Sequence, residues 1–346
     1  MNLLLGEVAR ATERLAEAGV ASPRYDAEEL AAAVHGVRRG ELHTVADADF
    51  DPTYWTAVAR RAAREPLQHL TGRAYFRYLE LAVGPGVFIP RQETEVVTGW
   101  AIDALRAMDV AEPLVVDLCT GSGAIALAIA QEVPRSRVHA VEADPTAAKW
   151  ARKNVTAMSA PAPRDPHEGH PQSIGPSESP PHISRDRVRA TLTPPEAVGP
   201  RRADAAGSGR AGRADAAGSE RLEARVTLHR ADVAGCLPEL AGQVDLVISN
   251  PPYVPLGATI RDPEVAEYDP PQALWSGKDG LDMIRIIEAT ARRLLREDGL
   301  AVVEHADEQW GSAPAVFREE YGWTDVRDHR DLAAKPRFLT ARHRPT

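Results

Sequence analysis

Cysteine is scarce in this sequence. The two present among 346 residues, Cys119 and Cys236, are too few for a disulfide framework or a thiolate metal centre, and no metal site is expected. Long apolar runs are missing as well. None approaches the roughly 18 to 20 residues needed to cross a bilayer, and the opening MNLLLGEVARATER has no basic region followed by an apolar core. These absences point to a cytoplasmic chain with free thiols and no membrane partner. The third thing lacking is an excess of basic residues. Against 41 Lys+Arg stand 50 Asp+Glu, a formal net charge of -9, the wrong sign for a protein that lives by holding nucleic-acid phosphates. No stable nucleic-acid partner is expected, and a monomer is the default. Single domains usually run to about 100 to 200 residues, so the length allows two.

What is present begins with helices. Leu4, Val8, Ala11, Leu15 and Ala16 recur at helical spacing until Gly19. Ser22-Pro23 and Asp51-Pro52 then set a capping side chain and a proline ahead of Tyr25 to Val34 and Tyr54 to Ala63. This implies a small helical domain over 1–73. From Tyr75 the period changes to two, through Leu79, Leu81 and Val83, with Gly84-Pro85-Gly86 read as a turn and Val87-Phe88-Ile89 as the return strand. A β-hairpin connector is therefore expected over 74–95. From 96 to 346 strands alternate with helices: strands at 114–118, 138–143, 226–230, 244–249, 300–304, 323–330 and 337–341, with helices at 124–131, 145–158 and 281–296. That order predicts an α/β fold, a parallel sheet covered on both faces. One segment, about 159–221, does not fit. It has no aromatic residue, ten prolines and two copies of RADAAGS, at 202–208 and 213–219, and is expected to be a disordered insertion.

The stretch from Leu114 to Ala124, LVVDLCTGSGA, reads as an apolar strand, a glycine-bearing turn and a helix start. Gly121 and Gly123 would let backbone approach a ligand, and the helix N-terminus offers free N–H groups. Alone, a Gly-x-Gly is as readily a tight turn. Glu142, about twenty residues on, stands where an acidic side chain in a doubly wound sheet can accept from both ribose hydroxyls. Asp232, at the end of the third strand, could accept from an adenine amino group and Val233 could cover the ring; the other reading of Asp232 is a cap for the turn that follows. Together the strand ends outline a nucleoside pocket. There is no Walker lysine, and the turn departs from Gly-x-Gly-x-x-Gly, which favours a ligand lacking phosphates.

The fourth strand ends on Asn250-Pro251-Pro252-Tyr253. Neither proline can give an N–H to a ladder, and their fixed φ stiffens the corner. The Pro251 carbonyl can point outward beside the side-chain carbonyl of Asn250, and two such acceptors can bind both hydrogens of one planar NH2 group. Tyr253 supplies a flat face. An amide or exocyclic amino nitrogen is a poor nucleophile, and fixed acceptors favour the pyramidal nitrogen that attacks a methyl sulfonium in line. Asn250, Pro251 and Tyr253 are thus the candidate catalytic residues. Cys119 is no candidate nucleophile, since no histidine lies near it in the motif.

Asp117 to Gly123, Glu142 and Asn250 to Tyr253, in that order, resemble the seven-stranded class I S-adenosylmethionine-dependent methyltransferases acting on planar nitrogen, with a Rossmann-like sheet. With Pro66 to Gly72, the run Phe88 to Glu95 and Glu304-His305, the pattern resembles the protein-(glutamine-N5) methyltransferases of peptide chain release factors, the PrmC/HemK family. The resemblance runs to about Ala341 and skips 159–221. It implies methyl transfer from S-adenosylmethionine to the glutamine of the Gly-Gly-Gln motif of bacterial class I release factors, docked partly by the helical domain. It implies a cofactor site of Asp117, Thr120, Gly121, Ser122, Gly123, Ala124, Glu142, Asp232, Val233 and Asn250. The substrate would meet Asn250, Pro251, Pro252 and Tyr253, with Phe88 and Arg91 in the site roof or ordering the domain junction; Thr94 and Glu95 would share that task. Cys119 stands where glycine is common, Glu142 where aspartate is common, and Val233 where an aromatic is often found. The rival reading, an adenine N6-specific DNA methyltransferase, would need a basic groove and a base-flipping region. A binding module that has lost catalysis would not need the acceptor pair.

Overall fold

The computed structural model describes residues 3–159 and 225–344. Apart from Ser159, which ends a helix, the expected insertion lies outside them. The N-terminal part is helical: α1 Leu3–Glu17, α2 Pro23–His35, α3 Thr53–Ala62 and α4 Leu67–Thr71. Leu4, Val8, Ala11 and Leu15 line one stripe of α1 and pack with Leu30, Tyr54 and Val58 in their own apolar cluster, as an amphipathic helix requires.

A two-stranded hairpin follows, β1 Arg73–Phe76 against β2 Leu79–Ala82. Its turn falls at Arg77-Tyr78, not at Gly84-Pro85-Gly86, and Val87 to Ile89 form no strand. Arg77 sits at φ 53°. It is held there by two bonds to Glu132 and one to the Glu95 carbonyl, long-range partners that local sequence does not reveal. The two glycines serve a different need. A Cβ on Gly84 would stand 2.6 Å from the Trp150 ring, and one on Gly86 2.7 Å from Thr146, so both permit close packing.

The rest is a seven-stranded sheet with helices on its faces, the class I methyltransferase architecture. In chain order come α5 Gln92–Ala107, β3 Leu114–Leu118, α6 Ala124–Glu132, β4 Arg137–Glu142, α7 Pro145–Ser159, β5 Val226–Arg230, β6 Val244–Ser249, α8 Pro263–Tyr268, α9 Asp282–Leu294, β7 Leu295–Glu304, β8 Trp323–Arg330 and β9 Pro336–His343. The spatial order is β5-β4-β3-β6-β7-β9-β8. The strands from β3 to β7 are parallel, whereas β9 runs antiparallel to both β7 and β8. The sheet is therefore mixed, not wholly parallel as alternation suggested. A tight connection through Asp331, whose carboxylate accepts the N–H groups of Ala333 and Lys335, is too short for a crossover and makes the last pair a hairpin. Strand β7 also starts at Leu295, earlier than its apolar run implied, because Leu295 is buried and pairs with Val244.

Alternate residues of the central strands serve opposite cores. Val115, Leu246, Ile248 and Val302 pack with α5 and α6, while Val116, Leu118, Val247 and Val303 pack with Ile284, Ile287 and Leu294 of α9. Strand order reverses between β3 and β6. Ligands in open α/β sheets bind in the crevice outside the carboxyl ends at such a switch point.

Candidate active site

A cavity of about 760 Å³ opens at that crevice. It is lined by Phe88, Arg91, Thr120, Gly121, Ser122, Ala124, Glu142, Asp232, Val233, Asn250, Pro251, Pro252 and Tyr253. Three of the residues singled out in the sequence, Glu95, Asp117 and Gly123, do not line it. Asp117 is fully buried behind the glycine turn, where its Oδ2 accepts the Thr120 hydroxyl at 2.5 Å and the Ala126 N–H at 3.2 Å. Burial pushes its carboxyl up to about 7, against those two bonds. Gly123 sits at φ 86° with Leu127 and Ala151 close to where its Cβ would stand, so it closes the turn onto α6 and α7.

Gly121 does face the opening, and nothing lies within 4 Å of where its Cβ would be. Its N–H donates to Glu142 Oε2 at 2.8 Å, and the Asp144 N–H donates to Oε1 at 2.9 Å. Each oxygen keeps a second lone pair for a ligand hydroxyl. Burial raises the Glu142 pKa. Asp232 Oδ1 accepts the Ala234 N–H at 2.8 Å, so the turn-capping role is realised while the residue still borders the cavity. Val233 is buried beside it.

At the end of β6 the corner is braced on every side. Asn250 Nδ2 donates to the Thr94 hydroxyl oxygen at 3.0 Å, which leaves Oδ1 as the free end of the amide. No described residue donates to the Pro251 carbonyl. The Tyr253 carbonyl accepts from Gln309 Nε2 at 3.0 Å, and its hydroxyl donates to Glu304 Oε1 at 3.3 Å. Burial, then the Glu304 charge, raises the Tyr253 pKa, so the phenol stays protonated. Gly280 at φ 76° lets the chain pass the Tyr253 carbonyl, from which a Cβ would be 2.3 Å away.

A family model for the PrmC N-terminal domain matches residues 8–72, and one for the methyltransferase small domain matches 79–165. The release factor glutamine methyltransferase of Streptomyces coelicolor is 55% identical over 343 residues, 99% of each chain. The chain belongs to the release factor glutamine methyltransferase family. That of Mycolicibacterium smegmatis is 40% identical, over 99% of this chain and 98% of its own. A 4-amino-L-phenylalanine/4-methylamino-L-phenylalanine methyltransferase of Streptomyces pristinaespiralis is 35% identical, over 91% of this chain and 87% of its own.

The chain also carries a cover over its cavity that motif reading did not find. Ile260, Val265, Pro270 and Leu274, from the segment between β6 and α9, line the cavity. Arg91, its guanidinium 4.9 Å from the centre of the Phe88 ring, pins this segment through Asp269 at 2.5 Å. Arg61 joins it to the helical part, with Nε 2.7 Å from Asp26 and Nη2 2.8 Å from Glu264. Glu304 and Arg337 also reach the cavity. A charged residue closing the apolar Ala301-Val302-Val303 run was the available signal for Glu304; nothing local marked the covering segment. Among the described residues no helix is long and apolar enough to cross a membrane.

Proposed function

We propose that this enzyme transfers a methyl group from S-adenosylmethionine to the side-chain amide nitrogen of the Gly-Gly-Gln glutamine in bacterial class I release factors. The observation that carries this is the Asn250 amide, its nitrogen tied back to Thr94 and its Oδ1 without a donor among the described residues, at a cavity that Pro251 and Tyr253 line with it. Glu93, Glu142, Asp144, Asp232 and Glu304 line the cavity with only Arg91 and Arg337, and both arginines are paired, to Asp269 and Asp331. An acidic lining with no spare cation among the described residues suits a cationic sulfonium better than a pyrophosphate. Glu142 would hold the ribose, Gly121 and Thr120 the turn beside it, Asp232 and Val233 the base.

When bound, S-adenosylmethionine supplies an electrophilic methyl group. The chain's own task is to present the nitrogen. Asn250 Oδ1 and the Pro251 carbonyl would accept its two N–H bonds in positions set for the pyramidal nitrogen, which loses conjugation with the adjacent carbonyl and aims its lone pair; the proton that becomes acidic on methyl transfer leaves to water. Tyr253 packs the planar amide. Pro251 and Pro252 keep the acceptors from relaxing. Residues 1–73 would dock the factor, 74–95 connect, and 96–346 carry the chemistry, in the cytoplasm and without a stable nucleic-acid partner.

The deciding experiment incubates the enzyme with labelled S-adenosylmethionine and, separately, a purified release factor, duplex DNA and 4-amino-L-phenylalanine, the last because of the arylamine-acting relative. Label in the factor's Gly-Gly-Gln peptide is expected. Label only in DNA or in the arylamine would overturn the proposal.

A further inference from the structure

One deeply buried acid in the cavity has no task in the reading above. Glu304 ends β7, is 1% exposed and lines the cavity. Its Oε1 accepts the Tyr253 hydroxyl, the Thr94 hydroxyl lies alongside the same carboxylate, and Oε2 is buried with no partner among the described residues. An ionised carboxylate only accepts, so hydroxyls beside it turn their protons toward it and keep only lone pairs for their other neighbours. For Thr94 the other neighbour is Asn250, whose Nδ2 lies 3.0 Å from Oγ1.

We propose that Glu304 is a positioning residue for methyl transfer: through Thr94 it decides which end of the Asn250 amide faces the substrate, turning Oδ1 toward the carboxamide N–H. The inference rests on the proposal that the acceptor is a carboxamide nitrogen. A neutral group at 304 that donates to Thr94 would free the threonine proton to bond Asn250 Oδ1. The amide would then flip and oppose the substrate NH2 with its own.

The groups facing Glu304 are Glu93 and Thr94 at the start of α5, Tyr253 after β6 and Arg337 on β9. Burial pushes the carboxyl up to about 7; Thr94, Arg337 and Tyr253 pull it down, and Glu93 adds to the rise. The ionised form is the competent one, so kcat/KM falls as pH drops through about 7 and is level above it.

The test uses the full-length enzyme, a purified release factor and labelled S-adenosylmethionine, with kcat and KM followed over about pH 5.5 to 9 and cofactor affinity by calorimetry. Glu304→Gln is expected to lose about 10- to 100-fold in kcat, with KM for the factor within about twofold, and to lose the acidic limb. Thr94→Val should show the same loss, Thr94→Ser should restore most of it, and Glu304→Gln with Thr94→Val should be no slower than either alone. Wild-type kcat in Glu304→Gln, an acidic limb that survives it, or losses that multiply in the double variant would overturn the inference. Should Glu304→Gln fail to fold, the Thr94 variants and the unsubstituted enzyme's acidic limb decide instead. If the unsubstituted enzyme leaves the factor unlabelled, the substrate proposal fails, and this inference with it.

Discussion

Asp117 and Glu304 stand near the carboxyl ends of β3 and β7, the two strands that flank β6, and they look alike until their partners are compared. Both are buried, both are pushed up to about 7 by that burial, and each keeps one oxygen without a partner among the described residues. Each also has a threonine beside it. Asp117 adds a backbone N–H, that of Ala126, and so closes the turn on which a nucleoside would rest. Glu304 adds the Tyr253 hydroxyl and faces the cavity. A displaced pKa does not by itself separate a scaffold acid from a site acid; whether the acid and its bonded groups close a turn or line the cavity does.

The severest way to break this comparison is to remove what lies between the two acids. Asn250→Ala should lower kcat by about 100- to 1,000-fold, since it deletes a transition-state acceptor, while the urea unfolding midpoint stays put because the side chain has one bond, to Thr94. Retained turnover would mean that neither strand end serves the corner. Asp117→Asn sharpens the contrast with Glu304→Gln. Asparagine can keep one oxygen for Thr120 and Ala126, so the turn weakens by about 1 kcal/mol, about fivefold in cofactor affinity, and kcat at saturating cofactor hardly changes. A kcat loss as large as that of Glu304→Gln would erase the distinction.

Stability against pH reads both acids at once. Their folded values, about 7, lie above the ordinary 3.8 and 4.5, so between those limits the folded state holds more protons than the unfolded chain. The contribution of these acids to stability should therefore fall as pH rises from about 4 to 7 and flatten above. Burial acts in the same direction on Glu142 and Asp269, while His69, His139, His229 and His329, held below the ordinary value by burial, act in the opposite sense. Removing either acid removes its downward contribution, so the slope of the thermal midpoint against pH across this range should be more positive in Asp117→Asn and in Glu304→Gln than in the unsubstituted protein, and an unchanged slope in either would mean that its acid is not protonated in the native state.

The parts of this molecule that can be read from sequence are those where local chemistry decides the outcome. The five parallel strands announce themselves by short apolar runs, and the glycine turn and Pro-Pro corner mark where two of them must end. What escaped reading depends on distant partners. The hairpin turns at Arg77 because Glu132 and the Glu95 carbonyl hold it there, and the segment around α8 covers the cavity because Arg61 and Arg91 reach it from elements far away in the chain. Asp117 and Gly123 were readable as motif members but not as to which way they face, since spacing along a strand and turn does not say which side chain the turn itself consumes.

The smallest expected effect concerns Cys119, in the turn above Asp117 where the resemblance leads one to expect glycine. Its φ of 60° lies in the left-handed region, which costs a residue with a Cβ roughly 1 to 2 kcal/mol. Relieving that with Cys119→Gly adds the entropy of a freer unfolded chain, about 0.5 to 1 kcal/mol, and removes the thiol from its apolar neighbours around Val116 and Val141, about another 1 kcal/mol. These nearly cancel, so urea unfolding of Cys119→Gly should agree with the unsubstituted protein within about 1 kcal/mol, and cofactor affinity should change little. A loss beyond about 2 kcal/mol would show that the thiol, and not only the carboxylate beneath it, holds the turn in shape, which would move the scaffold half of the comparison from Asp117 to its neighbour.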